Sequence, residues 1–213
     1  MDATLARGIA RRVCRETAGL LEAVEDIVNR PRSGTNTAWA RSVARDLRRA
    51  AGPALAVAQA GSKVRYIGLL LPVTTDYVPL TRVTRATKLG GLGLAILQID
   101  QRRRDTTMIM PRCRYSQHAL LRLIQRADLS SPREILAHVA PPLKRLFIGI
   151  EHFEHIPVDM EVRLNTDDGL LICLREPAGM VVVTAIPERS MCDGKRKSWQ
   201  STRALLEDMG GAA

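Results

Sequence analysis

The sequence has few aromatic residues and no two cysteines close together in the chain, and each of these shortages argues against a class of protein. Aromatic side chains make up 3% of the 213 residues, which argues against a single-strand binder built on base-stacking platforms. The four cysteines are widely scattered and form no C-x-x-C pair, so neither a zinc site nor a disulfide framework is indicated. We therefore expect no metal and no cofactor, with a reducing cytosol as the simplest setting.

Long apolar runs are missing as well. None reaches the length that a membrane-spanning helix needs. The first residues carry several arginines but lack the continuous apolar region and small-residue cleavage site of a secretory signal. We therefore predict a cytoplasmic protein without a membrane partner, whose export would need a non-classical system.

Positive charge, in contrast, is abundant and comes mainly from arginine. The net charge is +10, and 27 of the 32 basic residues are arginine. The planar guanidinium fits phosphate in two-point contacts, which favours a polyanion such as RNA as partner. A GC-rich genome would produce the same bias without functional meaning, so both interpretations stay open.

The hydrophobic pattern predicts an α+β fold, in which an N-terminal helical segment precedes an antiparallel sheet with two or three packed helices. Residues 3–30 and 37–50 show helical periodicity, and residues 53–60 suggest a short third helix. From Lys63 onward, shorter runs rich in Val, Ile, Leu and Thr indicate strands. We therefore divide the chain into a helical accessory segment (1–61) and a mixed α+β domain (62–213).

The clearest strand signals lie near the C-terminal end. D-M-E-V-R-L-N-T, D-G-L-L-I-C-L-R-E and G-M-V-V-V-T-A-I-P are separated by short turn sequences, which predicts an antiparallel meander. Earlier runs at 64–73, 77–84, 93–100 and 106–110 predict further strands. A helix starting near Ser131 is expected to stop before Pro141-Pro142.

The stretch from Arg112 to Arg126 combines a capping signal, a helical period and a histidine among arginines. Ser116 is a candidate N-cap, and the apolar residues that follow recur at helical spacing. His118, Arg122 and Arg126 recur every four residues on another face, so they form a row of one imidazole and two guanidiniums. Such a row suits a polyanion, although surface helices also carry arginines merely for solubility.

The run S-Q-H-A-L-L-R-L-I-Q-R, the following helix and the meander ending in V-V-V-T-A-I-P together resemble a family. They look like small prokaryotic domains with an S-x-H-A-x-x-R-x-x-x-R pattern, which are similar to the RelE, barnase and colicin-like ribonuclease superfamily. The resemblance covers residues 112–188, and residues 1–61 have no counterpart in it.

This resemblance implies a metal-independent ribonuclease of toxin or effector type, which cleaves RNA through its own 2′-hydroxyl. His118 would transfer protons, Arg122 and Arg126 would stabilise the extra negative charge, and Thr184 would hydrogen-bond a phosphate oxygen. It also raises an antitoxin or immunity protein as a partner to look for. We expect the site to be a solvent-reachable cationic cleft that His118 shares with Thr184.

Other basic residues are candidates for RNA contacts outside that site. They are Arg102, Arg103, Arg104, Arg112, Arg114, Lys195, Arg196 and Lys197. The alternative function is a non-enzymatic nucleic-acid-binding or protein-interaction protein that uses the same arginine-rich face. The histidines in E-H-F-E-H (151–155) are interpreted as part of a polar surface loop, because H-E-x-x-H is not present.

Overall fold

The computed structural model describes residues 2–61, 63–77, 86–109, 112–148, 155–166, 169–177 and 179–210. It confirms the α+β fold with helices at the N-terminus. The helices are α1 (Ala3–Asn29), α2 (Asn36–Ala51), α3 (Gln117–Ala127), α4 (Pro132–Ile148) and α5 (Asp193–Gly210). The strands are β1 (Leu55–Ala60), β2 (Val64–Tyr77), β3 (Ala86–Asp100), β4 (Asp105–Ile109), β5 (Cys113–Ser116), β6 (Glu161–Thr166), β7 (Gly169–Glu176) and β8 (Gly179–Pro187).

The strands form one sheet in the order β1-β2-β3-β5-β8-β7-β6, and β4 pairs with another part of β3. The predicted meander is confirmed, because β6, β7 and β8 pair antiparallel as successive neighbours. One pairing is parallel, between β5 and β8, with Tyr115 opposite Val182. The short strand β5 therefore joins the first four strands to the meander.

One hydrophobic core holds the helices and the sheet together. Helix α1 buries an apolar stripe that includes Val13 and Val24, and α2 buries Val43 and Leu47. These side chains belong to the same cluster as residues of β2, β3, α3 and α4, such as Leu69. The core thus continues across residue 61, and the division of the chain there into an accessory segment and a mixed domain stays a prediction.

Two predicted elements are wrong in the structure. Residues 52–54 form a 3-10 turn and residues 55–60 form strand β1, where the sequence suggested a helix. Pairing with β2 here outweighs the helical propensity of the alanines. Helix α4 also does not stop before Pro141 and Pro142 but continues to Ile148, since Leu143 and Leu146 beyond the prolines are buried in the core. The predicted strand at 77–84 lies almost wholly outside the described residues, except for Tyr77 at the end of β2.

The capping signals fold as the sequence predicts. Ser116 has an extended backbone, and its hydroxyl accepts a hydrogen bond from the Ala119 amide at 3.1 Å, so α3 starts where expected. Before α4, the Ser131 hydroxyl accepts from the Glu134 amide at 3.3 Å, while the Glu134 carboxylate accepts from the Ser131 amide at 3.1 Å. This reciprocal pair is a capping box.

Strand β5 is flanked by two glycines that have no space for a side chain. Gly91 on β3 has φ +140, and a Cβ there would lie 1.7 Å from the Tyr115 carbonyl oxygen. Gly179 on β8 has φ +155, and its Cβ would lie 1.7 Å from the Arg112 carbonyl oxygen. Both backbones can approach β5 only because glycine stands at these positions.

Arg32 connects α1, α2 and the turn between β3 and β4. Its guanidinium donates to the Ile27 carbonyl at the end of α1 and to the Asp46 carboxylate on α2, the latter at 3.1 Å. Its own carbonyl accepts from the Arg104 side chain at 2.8 Å. The Arg32 side chain is 8% exposed, so these contacts are largely shielded from water.

We expect Arg32→Ala to lower the free energy of unfolding by about 2 kcal/mol at neutral pH, because it removes hydrogen bonds to and from charged groups. The hydrogen bond from Arg32 lowers the pKa of Asp46 below its ordinary value of 3.8. The contribution of this pair is therefore present above that value and is lost as pH falls through the lowered pKa. Urea unfolding of the wild type and of Arg32→Ala should show that their difference in unfolding free energy is smaller at about pH 3 than at pH 7.

The matched control for this experiment is Arg45→Ala. Arg45 lies 3.6 Å from the same carboxylate but is 68% exposed, so its removal should change stability by less than about 0.5 kcal/mol. An Arg32 variant that is no less stable than the Arg45 variant at pH 7 would contradict the assignment.

Candidate nucleic-acid interface

The polar face of α3 lies against the first turns of α1 and forms a cationic groove. The apolar face of α3 is buried in the core, which leaves His118 and Arg122 exposed one turn apart. With Arg7 of α1 they line a surface groove of about 190 Å³. The other residues that line this groove are Ala3, Leu121 and Gln125. We call this site the α1–α3 groove.

The charges of the α1–α3 groove all have one sign. Two guanidiniums and one imidazole line it, and no carboxylate is found among the described residues of its walls. Arg7, His118 and Arg122 are each exposed, so solvent or a ligand can reach them. Arg7 was not singled out as a site residue by the sequence pattern, because its neighbour α3 is distant in sequence.

Arg126, the third member of the predicted row, is not among the residues that line the groove. It is half-buried, and its guanidinium donates to the Ala185 carbonyl of β8 at 2.8 Å. The Arg126 carbonyl in turn accepts from the Arg189 side chain at 2.7 Å. These contacts hold the end of α3 against the end of β8, so Arg126 has a structural role, and its role in RNA cleavage stays a prediction.

Thr184 lies on the other face of the sheet from α3 and α4. It pairs with Ile172, whereas the next residue, Ala185, pairs with Leu171. Ala185 and Leu171 are buried in the core that also contains residues of α3 and α4, whereas Thr184 and Ile172 are half-exposed. Because side chains alternate between the faces along a strand, Thr184 points away from the helices. The structure therefore does not form the expected cleft between His118 and Thr184.

The arginines of the turn between β3 and β4 differ in their surroundings. Arg102 and Arg103 are exposed, and their amides donate to the Asp100 carboxylate at 2.8 Å and 3.1 Å. Arg104 lies over the Trp39 ring at 5.9 Å from its centroid and donates to the Arg32 carbonyl. Arg104 thus holds the turn against α2, while the other two side chains extend from the surface.

Of the remaining predicted RNA contacts, some are engaged in contacts within the protein and others are exposed. Arg114 donates to both oxygens of Glu176 at 3.0 Å, and the two side chains, 19% and 36% exposed, form a partly buried ion pair between β5 and β7. Arg196 donates to the Met191 carbonyl at 3.1 Å. The exposed members of the set are Arg112, Lys195 and Lys197. For these three, a role in binding RNA stays a prediction.

Three of the four cysteines, Cys14, Cys113 and Cys173, are buried, whereas Cys192 is exposed. Burial raises the pKa of the Cys14 thiol to about 11 and the pKa of both Cys113 and Cys173 to about 12, which disfavours the reactive thiolate. No group of three metal-ligating side chains occurs in the part of the chain that is described. The same residues include no helix that is both long and apolar enough to cross a membrane. Within E-H-F-E-H, only His155 is described, and it is exposed.

A second and larger concavity involves His138, which is not among the residues that the sequence predicts for a functional site. It measures about 340 Å³ and lies between α3, α4, β7 and β8. Glu188 and Arg189, in the turn that follows β8, also line it. These residues are far apart in sequence, and only the fold brings them together.

Comparisons of the chain with protein-family models, with curated proteins and with solved structures give no match. Its function must therefore be argued from the geometry and charge of its own residues.

Proposed function

We propose that this protein binds RNA through the α1–α3 groove. The supporting observation is the exposure of Arg7, His118 and Arg122 around one groove without a carboxylate among its described walls. Guanidiniums form two-point hydrogen bonds with phosphate oxygens, and an RNA backbone supplies such phosphates at regular intervals. The net charge of +10 would assist the encounter by long-range attraction.

RNA cleavage is the second candidate, and the position of His118 favours it. An imidazole between guanidiniums is suited to take the proton of a 2′-hydroxyl while the cations stabilise the charge that develops on the phosphate. In this proposal His118 is the base, and Arg122 with Arg7 stabilises the transition state. The groove supplies one imidazole where cleavage needs both a base and an acid, which is why binding comes first. An antitoxin or immunity protein would be expected to cover this groove.

A single comparison tests both candidates. Labelled single-stranded RNA is incubated with the protein in chelator between about pH 5 and 9, the range in which histidine changes charge, and both cleavage and binding are measured. If the protein is a ribonuclease, His118→Ala should lower the cleavage rate by about 100-fold or more while the dissociation constant changes by less than about threefold. His155→Ala, which removes another exposed histidine, should leave both quantities unchanged.

The results separate the candidates cleanly. Wild-type protein that binds but does not cut RNA is a binder, and cleavage that survives His118→Ala excludes the catalytic role of this residue. Phosphate contacts release counterions, so binding must weaken as salt rises. An affinity that does not depend on salt concentration would argue against RNA binding at the groove altogether.

A further inference from the structure

The cavity beside His138 lies on the side of α3 opposite to the α1–α3 groove. Leu123 and Ala127 of α3 line the cavity, whereas Leu121, Arg122 and Gln125 of the same helix line the groove. Aliphatic and proline residues make up much of its wall, among them Leu123, Ala127, Pro142, Leu171 and Ala185. At about 340 Å³ it falls near the lower end of the range of small-molecule sites, roughly 300 to 1,000 Å³. The size suits one small ring system.

His138 lines this cavity and can offer one hydrogen-bond acceptor. The ring nitrogen Nδ1 lies 3.0 Å from the Glu134 carbonyl oxygen. A carbonyl can only accept, so Nδ1 carries the proton, and in the neutral ring Nε2 keeps its lone pair.

Glu188 adds a carboxylate to the same cavity. One of its oxygens accepts from the Gln200 side chain at 3.2 Å, which leaves the other oxygen and further lone pairs. Arg189 is the one cationic side chain among the described lining residues, and its Nε already donates to the Arg126 carbonyl. The Glu188 carboxylate would repel an anionic group inside the cavity, so the phosphate of a bound nucleotide would have to stay outside it. The cavity therefore suits a flat, neutral ring that brings its own N–H donors.

We propose that this cavity binds a guanine base. A guanine ring presents N1–H and an exocyclic amino group side by side, and these two donors match the two oxygens of a carboxylate such as Glu188. Its flat faces would lie between the aliphatic walls, and His138 would accept a further hydrogen bond. The base can belong to a free nucleotide or to an unpaired position in RNA, since both present the same edge. This proposal does not depend on RNA binding at the groove.

Titration calorimetry on the wild-type chain tests the proposal with four probes: GMP, IMP, CMP and ribose 5-phosphate. GMP should bind saturably. IMP, which lacks the exocyclic amino group, should bind about tenfold more weakly, because one hydrogen bond to a charged acceptor is lost. CMP and ribose 5-phosphate should not bind at the same concentrations. Equal binding of all four probes, or no binding of GMP at millimolar concentration, would overturn the proposal.

A pair of variants locates the site. Glu188→Gln should weaken GMP binding by about tenfold or more, since the neutral amide offers one acceptor and a mismatched donor. Glu161→Gln removes a different carboxylate, which is 52% exposed and paired with Arg163 on β6, and should leave GMP binding unchanged. GMP binding unaffected by Glu188→Gln contradicts the assignment. The GMP and IMP comparison on the unmodified protein stands even where a variant folds poorly.

A competition experiment identifies the source of the base. GMP that displaces an RNA oligomer carrying one unpaired guanine assigns the cavity to RNA, and GMP that binds without displacing it assigns the cavity to a free nucleotide. Repeating the GMP titration with Arg7→Glu/Arg122→Glu separates the two proposals. If this variant loses RNA binding but still binds GMP, the guanine site is supported independently of the groove. If it also loses GMP binding, the proposal that the cavity acts independently of the groove is contradicted.

Discussion

Gly179→Ala should lower the free energy of unfolding by more than about 3 kcal/mol or prevent folding. The added methyl group would lie 1.7 Å from the Arg112 carbonyl oxygen, on a backbone whose φ of +155 few side chains adopt. The neighbouring Met180 amide donates to the same carbonyl at 2.8 Å, so relief of the clash would break a sheet hydrogen bond. Since about 1 kcal/mol shifts the melting temperature of a chain of this size by roughly 2–4 °C, a thermal scan should show a fall of at least about 6–12 °C.

Gly19→Ala is the matched control for Gly179→Ala. Gly19 lies in the middle of α1, and a Cβ there would meet no heavy atom within 4 Å. Alanine in a helix interior is favoured over glycine by about 0.5–1 kcal/mol, so this variant should be more stable than the wild type. Equal stability of the two variants would show that the space between Gly179 and the Arg112 carbonyl can accommodate a methyl group.

The double charge reversal Arg7→Glu/Arg122→Glu should lower the affinity for single-stranded RNA by about 100-fold or more at low salt. Two phosphate contacts are lost, and two carboxylates then repel the backbone. The slope of log affinity against log salt should become shallower by about 0.7 for each lost contact, or about 1.4 in total. Fluorescence anisotropy at several salt concentrations measures both quantities.

A second double variant, Arg12→Glu/Arg163→Glu, changes the net charge by the same amount away from the groove. Arg12 stands five positions after Arg7 on α1, about 140° around the helix, and Arg163 lies on β6. Both are exposed, so their reversal should reduce RNA affinity only slightly. Equal losses in the two double variants would mean that RNA responds to overall charge and not to the α1–α3 groove.

Local signals in the sequence predict the elements whose causes are local. The hydroxyl of Ser116 caps α3 from three residues away, and the turns of the meander connect strands that are neighbours in the chain. The exposed row of His118 and Arg122 likewise follows from the helical period alone. Such features need only a few consecutive residues to be recognised.

The features that the sequence does not predict depend on contacts between distant segments. The run V-V-V-T-A-I-P does not alternate between polar and apolar residues, so it does not show which face of the sheet Thr184 occupies. That face depends on the pairing with β7, whose register shifts between Ile172 and Cys173. The sequence makes Arg114 a candidate RNA contact, whereas in the structure its guanidinium is paired with Glu176. The groove itself needs Arg7, whose distance from His118 in space cannot be read from their positions in the chain.

The parallel pairing of β5 with β8 also bears on the order in which the protein folds. The strands before β5 pair with close neighbours, as do the three strands of the meander, so each half can form soon after its own residues leave the ribosome. The β5 pairing, in contrast, brings Cys113 beside Met180 and must wait for the whole meander. Closing so long a loop is slow, and until it closes both β5 and β8 present an unpaired edge on which a nascent chain could aggregate.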